Sequence, residues 1–392
     1  LTQEEINILM QPTQQKFVKL EIYDINNNFL DSIEANLIGG TLSIDSTSSS
    51  IRRSLSSLNF VINDPKYIPG YNGYFWINTK VRIAVGIKSI FTKKIIYFHM
   101  GWYLFDKPDV KKSQTSYEIS IAGMDYMGLL NGTRGGYLSN AVKTEKPVGE
   151  PISQAIRNTL TDNGETNFMV DDICDSSGNI LTIPYVLDCS NSDSVQTMID
   201  KLATLYDNWE YFYSVGTETS QPMFIYQAIK DKTSDSIAWD FSVNNMIIDI
   251  DNQPNFNNPL NDVWIYGTYT DAYGQAFCHI QNNNILSPFS ITNAEKTLTY
   301  SETVTTYTTN AECLAHAEKV LWTRSYLAEA VTITCVPIYN LDVNTVILLN
   351  RPDLNLVGKF LVTKISIDLK KDGIQTLNCS RLYVYQSDAT TY

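Results

Sequence analysis

Histidine and cysteine are scarce in this 392-residue sequence, and neither is arranged for chemistry. His99, His279 and His316 form no HExxH or comparable ligand spacing, so packing or surface roles are expected rather than metal binding. Cys174, Cys189, Cys278, Cys313, Cys335 and Cys379 include no CxxC pair and match no zinc pattern. They read as free, buried thiols, which suits assembly in a cytoplasm better than secretion. No GxSxG elbow occurs. The stretch Asn131-Gly-Thr-Arg-Gly-Gly lacks the Lys-Ser/Thr pair of a phosphate loop and reads as a flexible linker. Basic residues are also short: 29 Lys and Arg against 42 Asp and Glu leave a net charge of -13. Such a field does not grip nucleic acid, although DNA could slide past it. No apolar run approaches the ~20 residues of a membrane span. The opening LTQEEIN is acidic where a signal peptide is basic. A soluble, cell-built protein with no membrane anchor is expected.

Close carboxylates occur at Asp171-Asp172 and at Asp249 and Asp251, without the ligand ladder of a calcium loop. They read as solvated loop charges; a hydrolase built on Asp171 or Asp172 ranks well below the other readings. No catalytic, cofactor-binding or metal-binding residue is expected, and no cofactor.

What is abundant points to β structure. Apolar residues make up 43%, tyrosine (24) outnumbers phenylalanine (15), and asparagine runs recur. That mix suits half-buried strands joined by polar turns. Strands are predicted over 17–25, 41–44, 58–62, 81–87, 95–105 and 116–122, with Gly39-Gly40 as a hairpin turn. Helical periodicity appears at Ile152, Ala155, Ile156 and Leu160 after Pro151, and again beyond Asp193 as a cap. A third helix is predicted from Thr309 or Asn310, where Thr309 and Glu312 fit a capping box. Strands return at 262–269, 331–336, 345–349, 359–369 and 374–385. The fold class expected is mainly β with an α+β insertion. Two related β-barrel domains, 1–149 and 236–392, would flank a small α+β domain, 150–235.

The two flanking blocks echo each other. Gly101-Trp-Tyr-Leu-Phe, a turn with Lys111-Lys112, and Ser116-Tyr-Glu-Ile-Ser-Ile form one unit. Gly358-Lys-Phe-Leu-Val, a turn with Lys370-Lys371, and Thr376-Leu-Asn-Cys-Ser form the other. Any two hairpins share Gly at bends and Lys at turns, so the plain alternative is coincidence. Duplication has a consequence, because three chains with two like barrels each would close into a ring of six similar units. The lysine pairs, with Lys93-Lys94, read as solubility and edge protection; the sharper reading has them line a channel or meet an acidic partner.

The order of these segments resembles the central hub proteins of phage tails and baseplates. Gly358-Lys-Phe-Leu-Val-Thr-Lys-Ile with Thr376-Leu-Asn-Cys-Ser-Arg-Leu-Tyr is similar to that family's terminal barrel hairpin. Val336-Pro337 before Thr345-Val-Ile-Leu-Leu, Asn261-Asp-Val-Trp-Ile-Tyr-Gly, and the N-terminal Gly40-Thr-Leu-Ser-Ile-Asp and Leu55-Ser-Ser-Leu-Asn-Phe-Val-Ile resemble further parts of it. The resemblance implies a non-enzymatic homotrimer at the tail tip of a virion, assembled in the host cytoplasm. It would adapt the six-fold tail tube or distal tail protein to a three-fold tip or spike. It would also surround the channel used by DNA and the tape-measure protein. Members often carry a C-terminal peptidase or wall hydrolase, and none is expected here. The competing reading is a receptor- or glycan-binding tail module, with Tyr71, Tyr74, Phe75 and Trp76 stacking on sugars; their plainer role is to plug a barrel end.

Overall fold

Alternating apolar and polar residues make strands of most of the first and last thirds of the chain, and long apolar-faced helices are confined between and within them. The computed structural model describes residues 2–389 apart from 35–36, 48–50, 78, 139–143, 175–177, 207–208, 217–219, 229–231, 256–258, 271–273, 325–327 and 383–387. The N-terminal block holds α1 (Gln3–Leu9), β1 (Gln15–Tyr23), β2 (Phe29–Ile33), β3 (Leu37–Asp45), β4 (Arg53–Ile62), β5 (Lys80–Lys88), β6 (Ile95–Lys112) and β7 (Tyr117–Met124). The middle holds β8 (Glu145–Lys146), α2 (Ile152–Asp162), β9 (Phe168–Val170), β10 (Leu187–Asp188), α3 (Val195–Ala203), β11 (Trp209–Tyr213) and β12 (Phe224–Ala228). The last block holds β13 (Ile237–Asp240), β14 (Ile247–Asn255), β15 (Asp262–Thr270), β16 (Gly274–Gln281), α4 (Ile291–Ala294) and β17 (Thr299–Thr303). It continues with α5 (Asn310–Arg324), β18 (Ala328–Cys335), β19 (Val346–Arg351), β20 (Leu356–Asp368), β21 (Gln375–Arg381) and β22 (Asp388–Ala389).

The chain is mostly β, and its main sheet has thirteen strands, running β14-β18-β21-β20-β3-β4-β7-β6-β5-β1-β2, with β19 paired to β20 and β13 paired to β19. This corrects the picture of two closed barrels: among the described residues the path stays open. The reason is the outer edge of β3, which pairs with β20 of the other block from Thr41↔Asp368 to Asp45↔Lys364. Lys364 and Asp45 add a cross-strand ion pair at 3.0 Å. One apolar core runs beneath both blocks, from Leu20, Ile83 and Tyr103 to Ile333, Phe360 and Leu377. Gly39-Gly40 is not a turn but an irregular stretch inside β3. There a Cβ on Gly40 would sit 3.0 Å from the Leu58 Cα, so only glycine lets the two backbones approach.

Within this sheet the two hairpin units match rung for rung. Gly101 (φ 120°) and Gly358 (φ 126°) share a backbone conformation that side chains rarely adopt. Gly101 faces Ile83 and Gly358 faces Leu349. Two residues on, Tyr103 and Phe360 are both fully buried. A whole cross-sheet rung repeats: Leu42–Leu55–Gly123–Phe105 in one block and Asn252–Val331–Cys379–Val362 in the other. Both long strands then break register with the next strand, at Asp106/Asp109 and at Val362/Lys364.

The middle packs α2 and α3 with a three-stranded sheet, β11-β12-β9. Ile152, Ala155, Ile156 and Leu160 are buried on α2 as the 3.6-residue spacing requires. The cap of α3 is Ser194, whose hydroxyl accepts the Thr197 amide, one residue beyond the expected Asp193. Asp193 instead accepts the Ser190 amide in the preceding turn. In the last block, β15, β16 and β17 leave the main sheet and form their own with β22. Helix α5 covers it through Cys313, Ala317 and Leu321 over a separate core. The Thr309–Glu312 capping box is present, with Glu312 accepting the Thr309 amide at 2.8 Å and Thr309 accepting the Glu312 amide at 3.3 Å. The expected continuation of the last strand to Tyr385 lies outside the described residues. No described helix is long and apolar enough to cross a membrane.

Candidate assembly surface

A buried joint holds the three parts of the chain in one geometry. Arg52 and Arg53 lie at the start of β4 and are 8% and 2% exposed, so each cation needs partners. Arg53 reaches Asp342 and donates to the Tyr213 carbonyl at 3.1 Å. Arg52 donates to the Val343 carbonyl at 3.3 Å and lies 3.9 Å over the Phe212 ring. Asn344 donates to Glu210 at 2.7 Å. The backbone of both arginines is fixed by Asp125, whose carboxylate accepts their amides at 2.8 Å each and the Met127 amide at 3.1 Å. Burial pushes the Asp125 carboxyl up to about 6 against the pull of these amides. These contacts tie the start of β4 to β11 and to the 342–344 segment before β19, although the Nε atoms of Arg52 and Arg53 stay buried without a hydrogen-bond partner.

The lysine pairs occupy unlike places. Lys93 sits in a tight turn at φ 62° and donates to the Ile90 carbonyl. Lys370 and Lys371 lie in the β20–β21 turn, where Lys370 approaches Asp368 at 3.5 Å. Lys111 and Lys112 are not turn residues: they end β6 itself, exposed, opposite Glu118 and Tyr117.

The aromatic loop splits into two roles. Phe75 is buried and stacks on Phe105 with ring centroids 5.0 Å apart, and Tyr74 packs on Tyr67. Tyr71 (81% exposed) and Trp76 (40%) meet edge-to-face on the outside. Beside them opens an apolar cleft of about 240 Å³ between Trp76, Ile77, Phe105 and Pro108. The 131–136 loop is held rather than loose, because Arg134 donates to the Phe105 carbonyl at the end of this cleft.

The carboxylate pairs do not converge. Asp172 binds Arg157 at 2.8 Å and Ser153 at 2.9 Å on α2, which holds it below the usual carboxylate range. Asp249 and Asp251 stand exposed along β14. His279 contacts Asp262 at 2.6 Å and His316 contacts Glu302 at 3.1 Å, while His99 lies in the other block on β6. Among the described residues no three His, Cys, Asp or Glu side chains group as a metal site. All six cysteines are free; four are buried, Cys189 is half-buried and Cys174 is exposed, so burial fails for the last.

Among the open strand edges of the described residues, two lie at related places in the two blocks. Strand β14 ends the path of the main sheet. Beyond Leu104, where β5 stops pairing, β6 runs on to Lys112 with β7 on one side and no described strand on the other.

No family model matches the sequence. No curated protein matches it either. Solved structures do. The 43 kDa tail protein of prophage MuSo2 from Shewanella oneidensis superposes with a TM-score of 0.59 at 8% identity, over 94% of this chain and 98% of that one. The tail protein from Neisseria meningitidis MC58 gives 0.59 at 11% identity, over 93% and 96%. A chain of the Francisella PdpA-VgrG complex gives 0.56 at 10% identity, over 99% of this chain and 62% of that one. At such identities the likeness is one of fold, and over nearly its whole length this chain has the fold of phage tail proteins.

Proposed function

We propose that the protein is a non-enzymatic structural hub of a phage tail tip or baseplate. Three copies form a ring that presents six similar units, adapting the six-fold tail tube or distal tail protein to a three-fold tip or spike. The ring surrounds the path of DNA and the tape-measure protein, and its acidic charge lets DNA pass without sticking. It works within the virion after assembly in the host cytoplasm. The two β blocks are the ring-forming domains, 1–149 and 236–392, and the 150–235 part is the α+β insertion.

One observation carries this reading: the rung and glycine correspondence between the two blocks around Gly101 and Gly358. A chain that holds two like units can match three-fold and six-fold neighbours at once. The test is the mass of the purified full chain at high concentration, together with particle images. A three-copy ring with a central hole is expected; a strict monomer overturns the reading. The exposed Tyr71 and Trp76 favour the receptor- or glycan-binding alternative. Retention on host cell-wall polysaccharide, lost in Trp76→Ala, would select it.

A further inference from the structure

The chain contains, between its own two blocks, a junction that it leaves half-used. On the β19 side of β20, β19 stops at Leu361 and β3 takes over at Lys364. By the rung correspondence above, β6 is the counterpart of β20, and β14 is the counterpart of β3. Yet the matching edge of β6, beyond Leu104, faces no described strand, and β14 ends the sheet. The two edges belong to opposite ends of one repeated junction, so each is complementary to the other on a different molecule.

We infer that β14 of a second copy of this chain pairs antiparallel with the free edge of β6. The register follows from the internal junction. Ile367↔Leu42 and Asp368↔Thr41 become Val110↔Asn252 and Lys111↔Asp251 across copies. This rests on the ring reading above and names the contact that closes the ring.

The side chains agree with this register. Lys111 and Asp109 are exposed, and Val110 between them packs on the core. On β14, Asp249 and Asp251 are exposed, while Ile250 packs on the core and Asn252 is half-buried. The register therefore sets outward charge against outward charge, with Lys111 directly opposite one aspartate and diagonal to the other. The internal junction has the same device in Lys364 and Asp45. It also sets Pro108 opposite Pro254. Both lie on exposed edges, as strand prolines must. Opposed, they spoil one rung of the ladder; in any other register they would spoil two. The strands splay at that rung, beside the cleft that Pro108 and Trp76 line. The prolines thus protect each edge from unrelated strands and favour the one register that aligns them.

Hydrogen bonds in the internal junction fix the type of each rung. Ser46 donates to the Thr363 carbonyl and Leu369 to the Gly40 carbonyl. Alternation makes the rung of Asp368 and Thr41 a non-hydrogen-bonded one, with Cα atoms about 4.5 Å apart. Its counterpart, Lys111 with Asp251, inherits a spacing that a disulfide spans.

The test is a Lys111→Cys, Asp251→Cys full-length chain in a Cys174→Ser, Cys189→Ser background. Oxidised and run without reductant, it should give covalent dimers and closed trimers that reductant abolishes. A Lys370→Cys, Asp251→Cys chain should give neither. Lys111→Glu should weaken assembly at least ten-fold, and adding Asp251→Lys should restore it. A three-copy particle that forms no Lys111→Cys, Asp251→Cys cross-link overturns this contact and leaves the ring reading standing. A chain that stays monomeric at high concentration overturns both.

Discussion

At the scale of single residues, Asp125 ties the start of β4 to the turn that follows β7. It is 3% exposed and accepts three backbone amides that have no other described acceptor. A buried donor left unpaired costs about 1–3 kcal/mol. Asp125→Ala should therefore lower stability by about 3 kcal/mol, read as a lower urea midpoint at unchanged slope. Its pH dependence has a definite sign. A carboxyl raised from 3.8 to about 6 holds its proton more tightly folded than unfolded. Its stabilising share is present below the unfolded value and fades as pH rises through about 6. Asp125→Asn should flatten stability across that window. Asp262 behaves oppositely. Burial raises it, but hydrogen bonds from His279, Gln281 and Thr299 outweigh burial and leave its pKa lowered. Its share is present above 3.8 and lost as pH falls through the lower folded value, so Asp262→Asn should flatten the acid limb below about pH 4. None of this was legible in the sequence. Asp125 and Arg53 meet across strands, and Asp262 meets His279 only through the pairing of β15 with β16, where Trp264 faces His279.

At the scale of elements, local signals were legible where the chemistry is local. The box of Thr309 with Glu312 and the apolar stripe of α2 are periodic, short-range patterns. Helix α1 carries the same capping signature, Thr2 with Glu5, but its seven residues make under two turns, too few to show an apolar period. Gly39-Gly40 misled for the converse reason: paired glycines suit a turn, but here they admit the Leu58 backbone within one strand. The strand predicted over 262–269 is present as β15, yet its sheet was not legible, since a strand's alternation names its buried face and not its neighbours. Gly101 and Gly358 show what the echo in the sequence meant physically. Both sit at φ near 120° inside a long strand, and Gly358 has open space where a Cβ would go. Replacing it with Ala should still cost about 1–3 kcal/mol, from backbone strain alone. Thermal melts of Gly358→Ala and Gly101→Ala check this; two like losses would support the equivalence of the units.

At the scale of the whole molecule, the two blocks are one sheet over one core, joined at β3 and β20. The lobe of β15, β16, β17 and α5 has a core of its own. Hydrogen exchange should therefore release amides of β3, β4, β20 and β21 in one cooperative step, while the lobe can open separately. The repeated junction makes the larger statement. Among the described residues, the chain satisfies one of two like strand edges internally and leaves the other open, and the proposed contact closes that edge with a further copy. The most direct test is the mass and image of the purified full-length protein at high concentration. Three copies around a central hole, with six alternating units on the rim, are expected; a single copy at every concentration, or an assembly without three-fold symmetry, would contradict the account.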